Sequence, residues 1–128
     1  MSKPALGKFD LMAFTPTIDA TRAVEFYRDT LGLPLISQDP FAAVFDAHGI
    51  NLRVTPVPKP FTPQPFTALG WKVPDITLSV KELAAAGVNF ERYIPDQDEL
   101  GIWAAPGGAK VAWFKDPDGN ILSLTQFP

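Results

Sequence analysis

A pair of carboxylates in Asp116-Pro117-Asp118-Gly119 has a spacing that acid–base chemistry or a calcium loop could use. Proline at the second position and glycine at the fourth match a type I turn instead, so the stretch reads as structure. The chain has a single histidine, His48, and no cysteine. Disulfides, thiolate metal sites and a cysteine nucleophile are therefore excluded, and a Ser-His-Asp arrangement would have to be built on that one residue. His48 lies in Ala47-His48-Gly49, a turn between strand-like runs, where a solvated imidazole is expected. Phe26 and Tyr27 fall on one helix and read as core. Trp103 and Trp113, on neighbouring strand-like runs, and Phe14 and Phe41 in the first half are the rings that could wall a cavity and stack on a planar ligand.

The elements that position these residues follow from proline, glycine and apolar spacing. Five of the 14 prolines lie in Pro56-Val57-Pro58-Lys59-Pro60-Phe61-Thr62-Pro63-Gln64-Pro65, which without amide donors must be a stiff, extended connector. Before it, Phe9 to Thr15 reads as a strand ended by Pro16. Asp19 or Thr21 caps a helix through Leu31, and Gly32 stops it. Three strands follow, Pro34 to Ser37, Phe41 to Asp46 and Ile50 to Thr55. After the connector the order returns. Phe66 to Val73 is a strand, Pro74-Asp75 opens a helix to about Ala86 with Ile76, Val80 and Leu83 on its buried stripe, and Gly87 ends it. Val88 to Ile94, Gly101 to Ala104, Lys110 to Lys115 and Asn120 to Gln126 complete the second half as strands. The chain is thus read as α+β, one domain over 1–128: a β-α-β-β-β module over about 8–56, the connector over 56–65, and a second such module over about 66–127. Internal duplication explains the repeat.

Composition bounds the function. A chain of 128 residues, 46% hydrophobic and 20% charged, has the make-up of one ordinary globular domain. Eleven Lys and Arg against 14 Asp and Glu give a net charge of -3 with no basic cluster, so no nucleic-acid partner is expected. No apolar run approaches the ~20 residues of a membrane helix, and Met1 to Lys8 lacks the apolar core of a secretion signal. No membrane association and a cytoplasmic location are expected.

Two stretches carry a resemblance. Arg22-Ala23-Val24-Glu25-Phe26-Tyr27-Arg28-Asp29-Thr30-Leu31-Gly32-Leu33 resembles the helix signature of the vicinal oxygen chelate superfamily, the glyoxalase, bleomycin resistance protein and extradiol dioxygenase group. Phe114-Lys115-Asp116-Pro117-Asp118-Gly119-Asn120 resembles its turn signature, and Val73-Pro74-Asp75-Ile76 and Ala84-Ala85-Ala86-Gly87-Val88 fall in the same order and spacing. The resemblance covers nearly the whole chain. It implies two βαβββ modules forming a cupped mixed sheet, helices outside and a ligand cavity within the cup, and its antibiotic-binding members are commonly dimers.

The resemblance also implies where metal ligands would stand, on the first and last strands of each module. Counting from the flanking prolines and glycines gives Asp10, with Met12 as the alternative, then Arg53, Ala68 and Ser123. Only Asp10 is a plausible ligand, because Arg53 is a permanent cation, Ala68 has no donor and a neutral Ser123 hydroxyl is a weak one. No metal and no cofactor are expected. In their place Asp10 and Arg53 form an ion pair, a structural salt bridge at the rim or a polar anchor for a ligand, and Lys72, with the parity of Ala68, lines the mouth. Trp71 has the opposite parity and packs under a helix. The chain is nearest in character to the metal-free bleomycin-resistance-like members. Its expected function is metal-independent binding of a small, planar aromatic molecule, for sequestration or resistance, by a homodimer. An acidic surface favours a cationic ligand. The alternatives are a lyase, isomerase or dioxygenase-type enzyme with an atypical site, and a non-catalytic interaction domain.

Overall fold

The computed structural model describes residues 4–128, so the first three residues of the Met1 to Lys8 segment lie outside the described residues. Two four-stranded mixed sheets have the same topology. In the first, β1 (Met12–Thr17), β2 (Leu35–Gln38), β3 (Ala43–Ala47) and β4 (Ile50–Pro56) lie in the order β1-β4-β3-β2. In the second, β5 (Thr67–Lys72), β6 (Trp103–Ala104), β7 (Lys110–Lys115) and β8 (Ile121–Gln126) lie in the order β5-β8-β7-β6. Each module opens with a strand that pairs in parallel with its last strand, β1 with β4 and β5 with β8, through the crossover helices α1 (Ala20–Glu25) and α2 (Ile76–Ala85).

Both helices start on an aspartate. Asp19 accepts from the Arg22 amide and Asp75 from the Leu78 amide, each at 3.1 Å, satisfying amide groups that a helix start leaves without partners. Gly32 and Gly87 follow the helical segments with φ of 78° and 98°, the left-handed conformation that a side chain would strain.

Strand alternation gives each sheet a helix-covered face and an open one. Leu52 and Val54 of β4, Phe45 of β3, and Leu122 and Leu124 of β8 turn inward. They join Tyr27, Ile76, Val80 and Phe114 in one core that spans both modules. Trp71 packs against this core from β5.

Five expected elements differ in the structure. β1 begins at Met12, not Phe9, because its partner β4 begins only at Ile50 after the Ala47-His48-Gly49 turn, so Phe9 to Leu11 have no strand to pair with. Pro16 sits within β1 rather than ending it; on an edge strand its missing amide costs no ladder bond. The first helix is α-helical only to Glu25, then continues as a π-helical turn over Phe26–Thr30, closed by the Leu31 amide on the Phe26 carbonyl at 2.9 Å. Within that turn Phe26 and Tyr27 meet edge to face with centroids 5.3 Å apart. Val88 to Ile94 is not a strand and makes only an isolated bridge, Phe90 to Phe114. A buried side chain takes the backbone groups a ladder would need: Gln97 Oε1 accepts from the Tyr93 and Ile94 amides, and Nε2 donates to the Glu91 and Gly101 carbonyls. The expected strand Gly101 to Ala104 is correspondingly reduced to β6, Trp103–Ala104. Phe41 precedes β3, in a turn where Asp39 accepts from the Phe41 and Ala42 amides.

The modules are joined where the turn Asp116 to Gly119 meets the end of β1 and the start of α1. Asp116 is buried, and its carboxylate accepts from the Tyr27 hydroxyl (2.7 Å), Asn120 Nδ2 (2.9 Å) and the Asp118 and Asn120 amides. Asn120 Nδ2 also donates to Pro16 O, Arg22 to Pro117 O, and the Ile18 amide to Asp118. Burial pushes the Asp116 carboxyl up from the ordinary range, while the Asn120 and Tyr27 hydrogen bonds pull it back. Burial, followed by the Asp116 charge, pushes the Tyr27 phenol up, so it remains a donor. Because the folded carboxyl titrates above its unfolded value, the stability of its neutral form is fully present below that unfolded value. It is lost as pH rises through the folded one. The phenol stabilises the charged form. Tyr27→Phe is therefore expected to lower unfolding stability by about 1.5–3 kcal/mol at neutral pH, and by less in acid where Asp116 is protonated, as read by urea unfolding at both pH values. An equal loss at both would show that the bond does not serve the carboxylate.

Candidate functional site

The open face of the second sheet carries the aromatic cluster. Trp103 of β6 stacks on Trp113 of β7 with centroids 6.1 Å apart and planes inclined by 29°. Tyr93, brought in by the Gln97-held loop, meets Trp113 edge-on at 5.8 Å. Desolvation, then the Glu91 charge, raises the Tyr93 phenol, so this ring too is neutral and a donor. Beside the wall runs a low floor. Trp113 pairs with Ser123 of β8, and Ser123 with Gly70 of β5. A Cβ on Gly70 would stand 2.8 Å from Ser123 Oγ, so glycine is what lets the buried serine occupy its place. Lys72 shares this face by alternation; its Nζ lies 5.9 Å from the Phe127 ring centroid. Lys115, also on this face, is held by Glu91 at 3.2 Å.

The open face of the first sheet is polar at its centre. Phe14 of β1 and Val44 of β3 flank Arg53 of β4. Asn51 is in register with Met12, and its Oδ1 is buried without a hydrogen-bond donor. Among the described residues Arg53 forms no salt bridge, and none joins it to Asp10. Asp10 is exposed and lies outside β1, whereas Met12 is that strand's first residue. Ala68 sits at the irregular step of β5 between Thr67 and Leu69. Phe41 is 78% exposed on its turn, so the structure does not bring it to the two tryptophans within the protomer.

The positions where the resemblance places metal ligands therefore present a thioether or an off-strand carboxylate, a guanidinium, a methyl group and a hydroxyl. A divalent cation needs about three or more N or O donors converging on it, and this set does not fit one. Among the described residues no three of His, Cys, Asp and Glu converge. A separate cavity of ≈ 760 Å³ opens between β1 and β5, the edge strands, and is lined by Leu11, Ala13, Leu52, Leu69 and Trp71 with His48 and Lys72. Its walls are mostly aliphatic.

Tyr93 and Asn51 are the site residues that sequence reasoning did not single out. Asn51 is legible in principle, two residues from Arg53 on one strand face. Tyr93 has no such signal, because its place depends on a loop knotted around Gln97.

Paired βαβββ modules, each with one helix-covered and one open sheet face, define the class of protein. The sequence profile of the Glyoxalase/Bleomycin resistance protein/Dioxygenase superfamily matches residues 11–124, and the chain belongs to that family. Solved structures share the fold. A glyoxalase/bleomycin resistance protein/dioxygenase from Alicyclobacillus acidocaldarius aligns with TM-score 0.69 at 18% identity, covering 93% of this chain and 91% of that one. Lactoylglutathione lyase from Agrobacterium tumefaciens aligns with TM-score 0.71 at 17% identity, covering 97% and 95%. TioX from Micromonospora sp. ML1 aligns with TM-score 0.71 at 18% identity, covering 94% and 99%. No curated protein matches the chain in sequence.

The floor gives a direct test. Gly70→Ala is expected to destabilise by about 1–3 kcal/mol through the clash with Ser123 Oγ. Ser123→Ala in the same chain removes that clash and should restore the loss, measured as a double-mutant cycle of unfolding free energies. Additive effects would place the two groups out of contact.

Proposed function

We propose that this protein binds a planar small molecule without a metal, for sequestration or resistance, on the open faces of its sheets. The observation that carries the reading is the stacked Trp103–Trp113 pair, with Tyr93 against it, standing beside the Gly70–Ser123 floor. Rings held together by each other and open on one side offer flat apolar area at little further entropic cost on binding. The donor set described above supports binding rather than metal-assisted chemistry. A cytoplasmic location accords with the reading and is proposed with it.

The binding unit is a homodimer in which the first sheet of one protomer faces the second sheet of its partner. Two features favour a second copy. β1 and β5 are edge strands with unpaired backbone along one side. Phe9 and Phe14 are 71% and 62% exposed on and beside β1, and Phe66 is 61% exposed just before β5. Large apolar side chains gathered along free strand edges mark an interface.

Planar aromatic compounds should quench the tryptophan fluorescence saturably, and Trp113→Phe should weaken the best binder by roughly 2- to 12-fold, the stacking share of roughly 0.5–1.5 kcal/mol. Protein isolated without chelator should contain Zn, Ni, Mn and Fe far below one equivalent. A stoichiometric metal would overturn the metal-independent part of the reading, and a sedimentation mass of one chain would overturn the dimer.

A further inference from the structure

The balance of charge on the open faces runs against that of the whole chain. The net charge is -3, yet the charged groups on the two open faces that have neither a salt bridge nor a hydrogen bond among the described residues are cations, Arg53 and Lys72. Lys115 on the same faces is neutralised by Glu91, and Asp46, also on the open face of its strand, is engaged by the Gly49 amide. Asp39 accepts from the Phe41 and Ala42 amides, which with a smaller share from the Arg53 charge hold its carboxyl below the ordinary range, but it forms no hydrogen bond or salt bridge with Arg53.

Arg53 is the more telling of the two. It is partly buried at mid-strand, between Phe14 and Val44, with no hydrogen bond or salt bridge to protein among the described residues. A partly desolvated charge without a partner is costly, and a guanidinium is built to close on a carboxylate through two parallel hydrogen bonds. The internal repeat locates what it faces. Arg53 stands four residues after Gly49 on β4, as Ser123 stands four residues after Gly119 on β8. The two are equivalent positions, each at the centre of its open face. In the dimer proposed above, where the first sheet of one protomer faces the second sheet of its partner, the in-register Phe14–Arg53 pair of one copy would come over the in-register Gly70–Ser123–Trp113 row of the other.

We infer that the ligand is a planar aromatic carboxylate, its ring stacked on Trp113 and its carboxylate held by Arg53, with Lys72 adding attraction from the far side of the floor. The inference rests on the binding reading above and reverses the expectation, drawn from net acidity, of a cationic ligand. Local charge on the binding face outweighs a diffuse surface charge that salt screens over about 8–10 Å.

The test is tryptophan quenching of the full chain by three probes of one shape and different charge: naphthoate, naphthalenemethanol and naphthylmethylammonium. Naphthoate should bind about tenfold or more tighter than the alcohol, and the ammonium compound weakest. Arg53→Gln should weaken naphthoate by roughly 10- to 100-fold, the range for a hydrogen bond to a charged group, and weaken the alcohol by about threefold or less. Arg53→Lys, which keeps the charge and loses the fork, should fall between and guards against a folding defect. Naphthoate binding no tighter than the alcohol, or both weakened alike by Arg53→Gln, overturns the anion assignment while leaving planar binding intact. Quenching by none of the three overturns the binding reading and the assignment together.

Discussion

The buried carboxylate of Asp116 is the constraint on which the arrangement of the two modules depends. It lies on a turn of the second module, yet one of its donors, Tyr27, comes from the helical segment of the first, and Asn120 beside it reaches Pro16 on the first strand. A charge taken from water must find hydrogen bonds, and here one of the four, the Tyr27 phenol, comes from the opposite module. The requirement fixes more than a contact. It sets the depth at which Tyr27 sits in the core, against Phe45 at 5.8 Å, and it coincides with the π-helical turn that carries Tyr27. The two sequence signatures of the family, one around Tyr27 and one around Asp116, are thus the two halves of a single joint.

With the modules locked at that joint, strand alternation divides the labour between faces. Side chains of one parity fill a core shared by both modules, and those of the other parity are left for a ligand or a second copy. The second sheet shows how loosely the open face is bound by regular structure. Its edge strand β6 is two residues long, and the preceding segment is held by Gln97 and by Arg92, which donates to the Asp98 and Glu99 carbonyls. This irregular lobe sets Tyr93 against Trp113, so a polar knot without any ligand contact shapes the aromatic wall.

The fold shared with a lyase and with TioX says little about what is bound, because function resides in the side chains mounted on the open faces. At the positions where the resemblance places metal ligands those side chains include a guanidinium, a methyl group and a hydroxyl, and the second sheet adds a stacked pair of indoles. In the binding reading proposed above, shape and charge rather than coordination select the ligand.

The sequence by itself determined the module repeat, the Asp19 and Asp75 helix starts, the glycine stops, the parity that separates Trp71 from Lys72, and the chemical types at Arg53, Ala68 and Ser123. These are local: they follow from propensity, turn chemistry and spacing within a few residues. Only the tertiary structure decided that Pro16 lies inside an edge strand, that Met12 and not Asp10 opens it, that Val88 to Ile94 is a loop, and that Tyr93 completes an aromatic cluster. Each of these depends on a partner distant in sequence, whether a strand that begins late, a free sheet edge or a buried glutamine, and no periodicity within the segment itself encodes where such a partner will be.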